Sequence, residues 1–143
     1  MTIARIIASR SNAEIISCSA DMTVREAIAL LAEKRIGALP VCEDGGVIGI
    51  FSERDVIYCL ANAGADALDK SVSDVMTSPA ITVAPDTEVL TALALMTRRR
   101  IRHLPVTEGG RAVGFISIGD LVKHRIDRIE ADAEAMRSYI QSA

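Results

Sequence analysis

The chain contains the same stretch twice. Shifted by 65 residues, Ile16–Tyr58 overlies Ile81–Lys123 without a gap, and 16 of the 43 aligned positions are identical. The matches fall at structurally telling places: Asp21 with Asp86, Leu39-Pro40-Val41 with Leu104-Pro105-Val106, Gly49 with Gly114, Ser52 with Ser117, and Asp55 with Asp120. A solenoid needs about three or more stacked units, so two copies point to a pseudo-twofold pair.

Both copies read in the same order. A short strand (Glu14–Cys18; Ala80–Val83) leads to Asp21 or Asp86, which has the chemistry of a helix N-cap. An amphipathic helix follows, with Val24, Ala27, Ile28 and Leu31 in one copy and Val89, Leu93 and Met96 in the other, at spacings of three and four. Two strands come next, Ala38–Cys42 with Val47–Phe51 and His103–Thr107 with Ala112–Ile116, separated by the turn formers EDGG and EGGR. A second helix opens at Ser52 or Ser117. The fold class is therefore α+β, two β-α-β-β-α repeats joined by the connector Ala61–Pro79. The divisions are residues 1–70, 71–125 and 126–143: first repeat with the N-terminal segment, second repeat, and helical extension. A copy of about 45 residues buries too little surface alone, so the two sheets are expected to pack together.

Composition removes several classes. Aromatic residues are 3% and tryptophan is absent, so the core is aliphatic and base-stacking surfaces are scarce. A net charge of −3 disfavours generic nucleic-acid binding but leaves room for one basic pocket. No apolar run approaches the roughly 20 residues of a membrane span. The opening MTIARIIASRSNA lacks the apolar centre of an export signal and reads as part of the fold. Cys18, Cys42 and Cys59 are odd in number and widely spaced, which fits small core residues in a reducing cytoplasm.

With two β-α-β-β-α copies, I-x-x-LPV strands, the endings GIFSERD (Gly49–Asp55) and GFISIGD (Gly114–Asp120), and the linker SVSDVMTSP (Ser71–Pro79), the chain resembles the CBS-domain pair, or Bateman module. The resemblance covers roughly residues 5–125, and the chain closely resembles small stand-alone bacterial proteins made of this pair and a long C-terminal helix. It implies a regulatory, non-enzymatic role: binding of AMP, ADP, ATP, NAD(H) or S-adenosylmethionine by a module that commonly dimerises.

The S-x-x-D endings permit two readings. Ser as N-cap with Asp in the first turn is ordinary capping. A carboxylate can also accept from both hydroxyls of a ribose, beside a helix N-terminus suited to phosphate. Resemblance to the family favours the second. One pocket then uses Ser117 and Asp120 for ribose, with Ile16, Ile36, Gly37 and Ala38 around the base and Arg102 or His103 near phosphate. The other uses Ser52, Arg54 and Asp55 with Thr77, Ile81 and Ile101; Arg54 meets either a phosphate or only Glu53 and solvent. The stretch RRRIRHLPV (Arg98–Val106) charges one copy where EKRIGALPV (Glu33–Val41) does not, so the clefts are asymmetric. Arg supplies a fork matched to phosphate, whereas Gly37 and Ala38 admit a flat purine.

Other signals are weaker. EDGGVIG (Glu43–Gly49) lies between two strands without dinucleotide-fingerprint spacing and reads as a hairpin turn. His103 and His124 are the only histidines, with no metal spacing, and His124 reads as surface-exposed. The last helix should run from Ser117 to about Gln141 with Val122, Ile126, Ile129, Ala133, Met136 and Ile140 at 4-3-4-3-4 spacing, a heptad seam. That seam packs either on Ile3–Ile7 of its own chain or on a second chain, and a homodimer is expected. The leading function is an adenine-nucleotide sensor for AMP-like ligands or NAD(H), signalling to a downstream protein. Alternatives are a basic-patch nucleic-acid-binding protein using Arg98–Arg102 and a ligand-free structural dimer.

Overall fold

Two hairpins form the centre of the molecule, described by a computed structural model over residues 1–9 and 14–142. Strand β2 (Ala38–Glu43) pairs antiparallel with β3 (Gly46–Ser52), and β4 (His103–Glu108) with β5 (Arg111–Ser117). The duplication extends to register: Ala38 faces Ser52 and His103 faces Ser117, with a bulge after Val41 and after Val106. Each tight turn rests on two residues of positive φ, Asp44 (54°) with Gly45 (81°) and Gly109 (61°) with Gly110 (81°). These suit the right-handed twist of a two-residue hairpin.

The hairpins meet at one edge pair. Gly46 of β3 pairs with Arg111 of β5, giving one five-stranded sheet in the order β1-β2-β3-β5-β4, where β1 is Cys18–Ser19. The two repeats thus pack together as expected, their hairpins joined through this one residue pair. Each hairpin buries its apolar residues against its own helices and builds its own core. Val24, Leu31, Leu39, Val41 and Phe51 anchor one. Val89, Met96, Leu104, Val106 and Ile116 anchor the other.

Helices α2 (Val24–Lys34) and α5 (Val89–Arg99) occupy the predicted stretches. Their starts differ from expectation. Thr23 caps α2, accepting from the Glu26 amide at 3.1 Å, while Asp21 accepts from the Ser19 hydroxyl; Glu88, not Asp86, precedes α5. The cause lies in strand-like bridges, Thr23 with Ser71 and Thr2 with Glu88, which hold the backbone extended to those residues. The first strands are also shorter than expected. Cys18 and Ser19 pair with Val41 and Cys42, but in the second copy only Val83 bridges to Val106. There the Ala84 amide donates to the Thr87 hydroxyl at 3.2 Å instead of extending the ladder.

The bridges expose a second layer of duplication. Helix α3 (Glu53–Ala63) closes the first copy and leads through a 3-10 turn (Gly64–Asp69) to the short α4 (Val72–Val75). Val72 is buried in the first core, and its amide donates to the Met22 carbonyl at 2.8 Å. Helix α1 (Ile3–Ala8) does the same for the second copy: Ile3 is fully buried there, and its amide donates to the Thr87 carbonyl at 2.9 Å. The N-terminal segment thus spends its buried side chains on the repeat that lies farther along the chain. Residues 10–13, the end of the stretch read as part of the fold, lie outside the described residues.

Helix α6 (Ile118–Ser142) is the long closing helix, about 37 Å at 1.5 Å per residue. Leu121 is its buried residue, and Val122, Ile126, Ile129, Met136 and Ile140 are exposed. Because α1 packs into the second core, the own-chain cover for this seam does not form. His124 also departs from expectation: it is half-buried, with Nε2 shielded from solvent and unpartnered among the described residues. Cys18 and Cys59 are buried and all three thiols are free. Burial pushes the Cys18 thiol up to about 11, as suits a packing group. Among the described residues, no helix is long and apolar enough to cross a membrane.

Candidate functional site

The two S-x-x-D sequences form the same local structure and face different neighbours. At α3, the Ser52 amide and hydroxyl donate to Asp55 Oδ2 at 2.8 and 3.1 Å, and the Asp55 amide donates back to Ser52 Oγ at 3.4 Å. At α6, the Ser117 amide donates to Asp120 Oδ2 at 2.8 Å and the Asp120 amide to Ser117 Oγ at 3.1 Å. Both are capping boxes, which satisfy amides at a helix start.

Beyond the cap they diverge. Asp55 is 8% exposed, and its Oδ1 accepts from the Thr77 hydroxyl at 2.9 Å. Thr77 is itself clamped to β3 by two backbone hydrogen bonds with Ile50, both 2.9 Å. This carboxylate therefore ties the connector to the first repeat. The position equivalent to Thr77, counted from the matching bridges at Ser71 and Thr2, is Ala8, which has no hydroxyl. Asp120 is half-exposed and lines a cleft.

That cleft has a volume of about 460 Å³ and lies between the repeats. Of the residues expected around a ligand, Ile16, Ile36, Gly37, Ala38, His103, Ser117 and Asp120 line it together. Arg102 is exposed and does not line it; its carbonyl accepts from the Ile118 amide at 2.8 Å. The other expected set is not gathered there. Ser52, Asp55 and Thr77 form the hydrogen-bonded tie just described, Arg54 is exposed on α3, and Ile81 and Ile101 pack on the second core. A wider hollow of about 660 Å³ runs between α2 and α3 over Ile28, Leu31, Val56 and Ile57, with Arg35 and Glu53 as its charged residues.

One wall of the cleft was not foreseen. Phe115 stacks on His103, with ring centroids 5.6 Å apart and planes 12° from parallel. The signal was present in the duplication. Copy one reads Ile50-Phe51 where copy two reads Phe115-Ile116. Side chains alternate along a strand, so this exchange buries Phe51 in the core and turns Phe115 into the cleft. Ile7, Glu14, Ile15 and Arg35 also line the cleft. Ile7 comes from α1, whose attachment to the second repeat has no signal within the shifted alignment.

Gly37 lies beside His103 and Glu53, with room for ordinary van der Waals contact. A Cβ built there would lie 3.5 Å from both His103 Cε1 and the Glu53 carboxyl carbon. Burial pushes the His103 imidazole below its ordinary range; Asp120 and Glu53 pull it back up, and Arg102 adds to the depression. The net direction favours neutral imidazole, able to donate one hydrogen bond and accept another. The arrangement offers a carboxylate at a helix N-terminus, an aromatic pair and a small-residue notch. The described residues contain no cluster of three or more groups able to hold a metal.

A duplicated β-α-β-β-α unit with a cleft at the junction of its halves defines a paired-repeat module. The CBS domain model matches residues 6–62 and 72–127, and the chain belongs to that family. It is 36% identical over 129 residues to CBS domain-containing protein CBSX3, mitochondrial, of Arabidopsis thaliana, covering 87% of this chain and 63% of that longer protein. Among solved structures, the CBS-domain containing protein ATU1752 from Agrobacterium tumefaciens shares 36% identity and a TM-score of 0.81, over 87% of this chain and 99% of that one. CBSX2 in complex with AMP shares 26% identity and a TM-score of 0.76, over 88% of this chain and 96% of that one.

Proposed function

We propose that this CBS pair is a cytoplasmic, homodimeric adenine-nucleotide sensor that takes an AMP-like ligand in the cleft of about 460 Å³. The volume falls within the range of small-molecule sites. Asp120 and Ser117 would meet the ribose. Ile16, Ile36, Gly37 and Ala38 would enclose the base, and His103 would donate to phosphate. The observation that carries the reading is the meeting of the α6 capping box with the Gly37–Ala38 notch and the His103–Phe115 stack in one cleft. AMP in the related CBSX2 structure supports it.

NAD(H) is the second ligand of this class, since its adenosine half makes the same demands. The set Ser52, Arg54, Asp55, Thr77, Ile81 and Ile101 is the pseudo-symmetric place for a second adenosine, with Arg102 aligned to Gly37 by the 65-residue shift. Asp55 Oδ2 already accepts two hydrogen bonds and Oδ1 one, so taking both hydroxyls of a ribose there would displace Thr77 and couple occupancy to the connector. Ligand shifts a conformational equilibrium only by binding one state better than the other, and a freed connector is such a state. The role is regulatory rather than catalytic, with a downstream protein reading the change.

The test is calorimetric titration of AMP, ADP, ATP and NADH, with GMP as control, after small molecules released from the denatured protein have been identified by mass. Adenine ligands should bind and GMP should not. Equal binding of GMP, or no binding by any adenine ligand to protein stripped of endogenous small molecules, would overturn the reading.

A further inference from the structure

We propose that the apolar face of α6 is a parallel, in-register two-stranded coiled coil with the α6 of a second copy. This deepens the homodimer part of the reading above and is independent of its nucleotide part.

The face is real and uncovered. Past Leu121, every residue of α6 except the half-buried His124 is exposed, including Ile126 (49%), Ile129 (53%) and Ile140 (65%). The stretch from Val122 onward extends about 32 Å from the second core. Its six apolar positions, Val122, Ile126, Ile129, Ala133, Met136 and Ile140, alternate in steps of four and three. That is the seam a partner helix covers by knobs-into-holes packing.

The charges beside the seam select the partner and its direction. With Ile126, Ala133 and Ile140 at the a positions, the flanking g positions are Arg125, Asp132 and Tyr139, and the flanking e positions are Lys123, Glu130 and Arg137. In a parallel pair each g residue meets the e residue five positions later on the other helix. Arg125 then meets Glu130, and Asp132 meets Arg137, each twice by symmetry. Both contacts join opposite charges. An antiparallel pair covering the same six residues would set Lys123 against Arg137, and Glu130 and Asp132 each against its own copy. An antiparallel pair slipped by one heptad would restore attraction but set Met136 against Gly119 in the partner's first turn and carry Ile140 past the start of the partner helix. Only the parallel register covers the whole seam with matched charge.

Within the single chain, Asp132 lies 3.8 Å from Arg128 and Arg137 2.8 Å from Glu134. Such exposed pairs hold side chains weakly and can exchange for contacts across the interface. Ala133, the small central a residue, brings the two backbones close.

The test combines mass with cross-linking on the full chain. Light scattering at micromolar concentration should give twice 15.3 kDa. Ala133→Cys lies at a seam position and should form a reducible dimer nearly completely on mild oxidation; Ser138→Cys, on the outer face, and the unaltered protein should not. Ile129→Asp, at a side chain exposed in the single chain, should give a monomer with an unchanged circular-dichroism melt at low concentration. Glu130→Arg should weaken association at least tenfold, and adding Arg125→Glu should restore it. A dimer that resists Ile129→Asp, or that does not cross-link through Cys at 133, would overturn the seam while leaving a homodimer standing. A monomer would overturn both, and a trimer or tetramer would overturn the two-stranded arrangement. None of these outcomes touches the nucleotide reading.

Discussion

Asp55 and Asp120 occupy the same position in two copies of one sequence, so replacing each with alanine separates capping from binding. Both changes remove an acceptor for a serine amide at a helix start, a loss of about 1 kcal/mol. Asp55→Ala removes more, because the Thr77 hydroxyl loses its partner and the connector loses its tie. Thr77 is exposed, so water can take the place of the lost carboxylate and the added loss is that of one ordinary hydrogen bond, about 0.5–1.5 kcal/mol. Asp55→Ala should therefore destabilise by about 1.5–2.5 kcal/mol and Asp120→Ala by about 1 kcal/mol.

Binding should show the opposite ranking. A hydrogen bond to a charged group contributes about 1.5–3 kcal/mol, which is roughly 10- to 150-fold in affinity. Asp120→Ala should weaken AMP binding by that factor, and Asp55→Ala should leave the cleft lined by Asp120 within about twofold. Urea unfolding measures the first ranking, provided the slope is unchanged, and calorimetry with AMP measures the second. Equal AMP affinity for Asp120→Ala and the unaltered protein would remove Asp120 from the site. Equal destabilisation by the two changes would refute the structural asymmetry itself.

Further expectations concern pH and glycine. His103 is depressed by burial, so its neutral form is favoured in the fold; the stability it contributes is present above its ordinary value of 6.5 and is lost as pH falls through the depressed one. His103→Gln should flatten that acid-side fall in the melting temperature. A phosphate beside His103 would raise its pKa, so AMP affinity should increase as pH falls through the bound-state value while adenosine affinity does not; parallel profiles would place the phosphate elsewhere. At Gly49 an added Cβ would lie 2.7 Å from Met76 Sδ and 2.9 Å from the Thr77 carbonyl, whereas at Gly114 it would meet the flexible end of Ile7 at 2.8 Å. Gly49→Ala should therefore cost about 1–3 kcal/mol and Gly114→Ala distinctly less, compared by urea midpoints.

The duplication made most of the fold legible. Hairpin registers, both central helices and the capping boxes follow from residues repeated at an interval of 65. What escaped was non-local. Thr23 and Glu88 begin their helices because they bridge to Ser71 and Thr2, partners that propensity at Asp21 and Asp86 does not reveal. The same limit applied to α1: its isoleucines advertise burial but not which repeat receives them. Within the cleft, Ser117, Asp120, Gly37 and His103 were readable because motif and strand position specify them, whereas Phe115 required attention to alternation along β5.

These particulars also explain why a duplicated chain need not have duplicated sites. One exchange of order, Ile50-Phe51 for Phe115-Ile116, redirects an aromatic ring from core to cleft. One difference in the covering segment, Thr77 against Ala8, places a hydroxyl beside one capping carboxylate and a methyl group at the equivalent position in the other copy. One difference before the hairpin, Gly37 against Arg102, leaves a small residue lining the cleft and sets an exposed cation at the symmetric position. None of the three disturbs the hairpin hydrogen bonds or the helix caps, because all lie on faces those interactions do not use. Divergence of the two copies at these positions is therefore cheap in stability here. The roles would share an atom at Asp55 Oδ1, where Thr77 already occupies one of the oxygen's two acceptor positions.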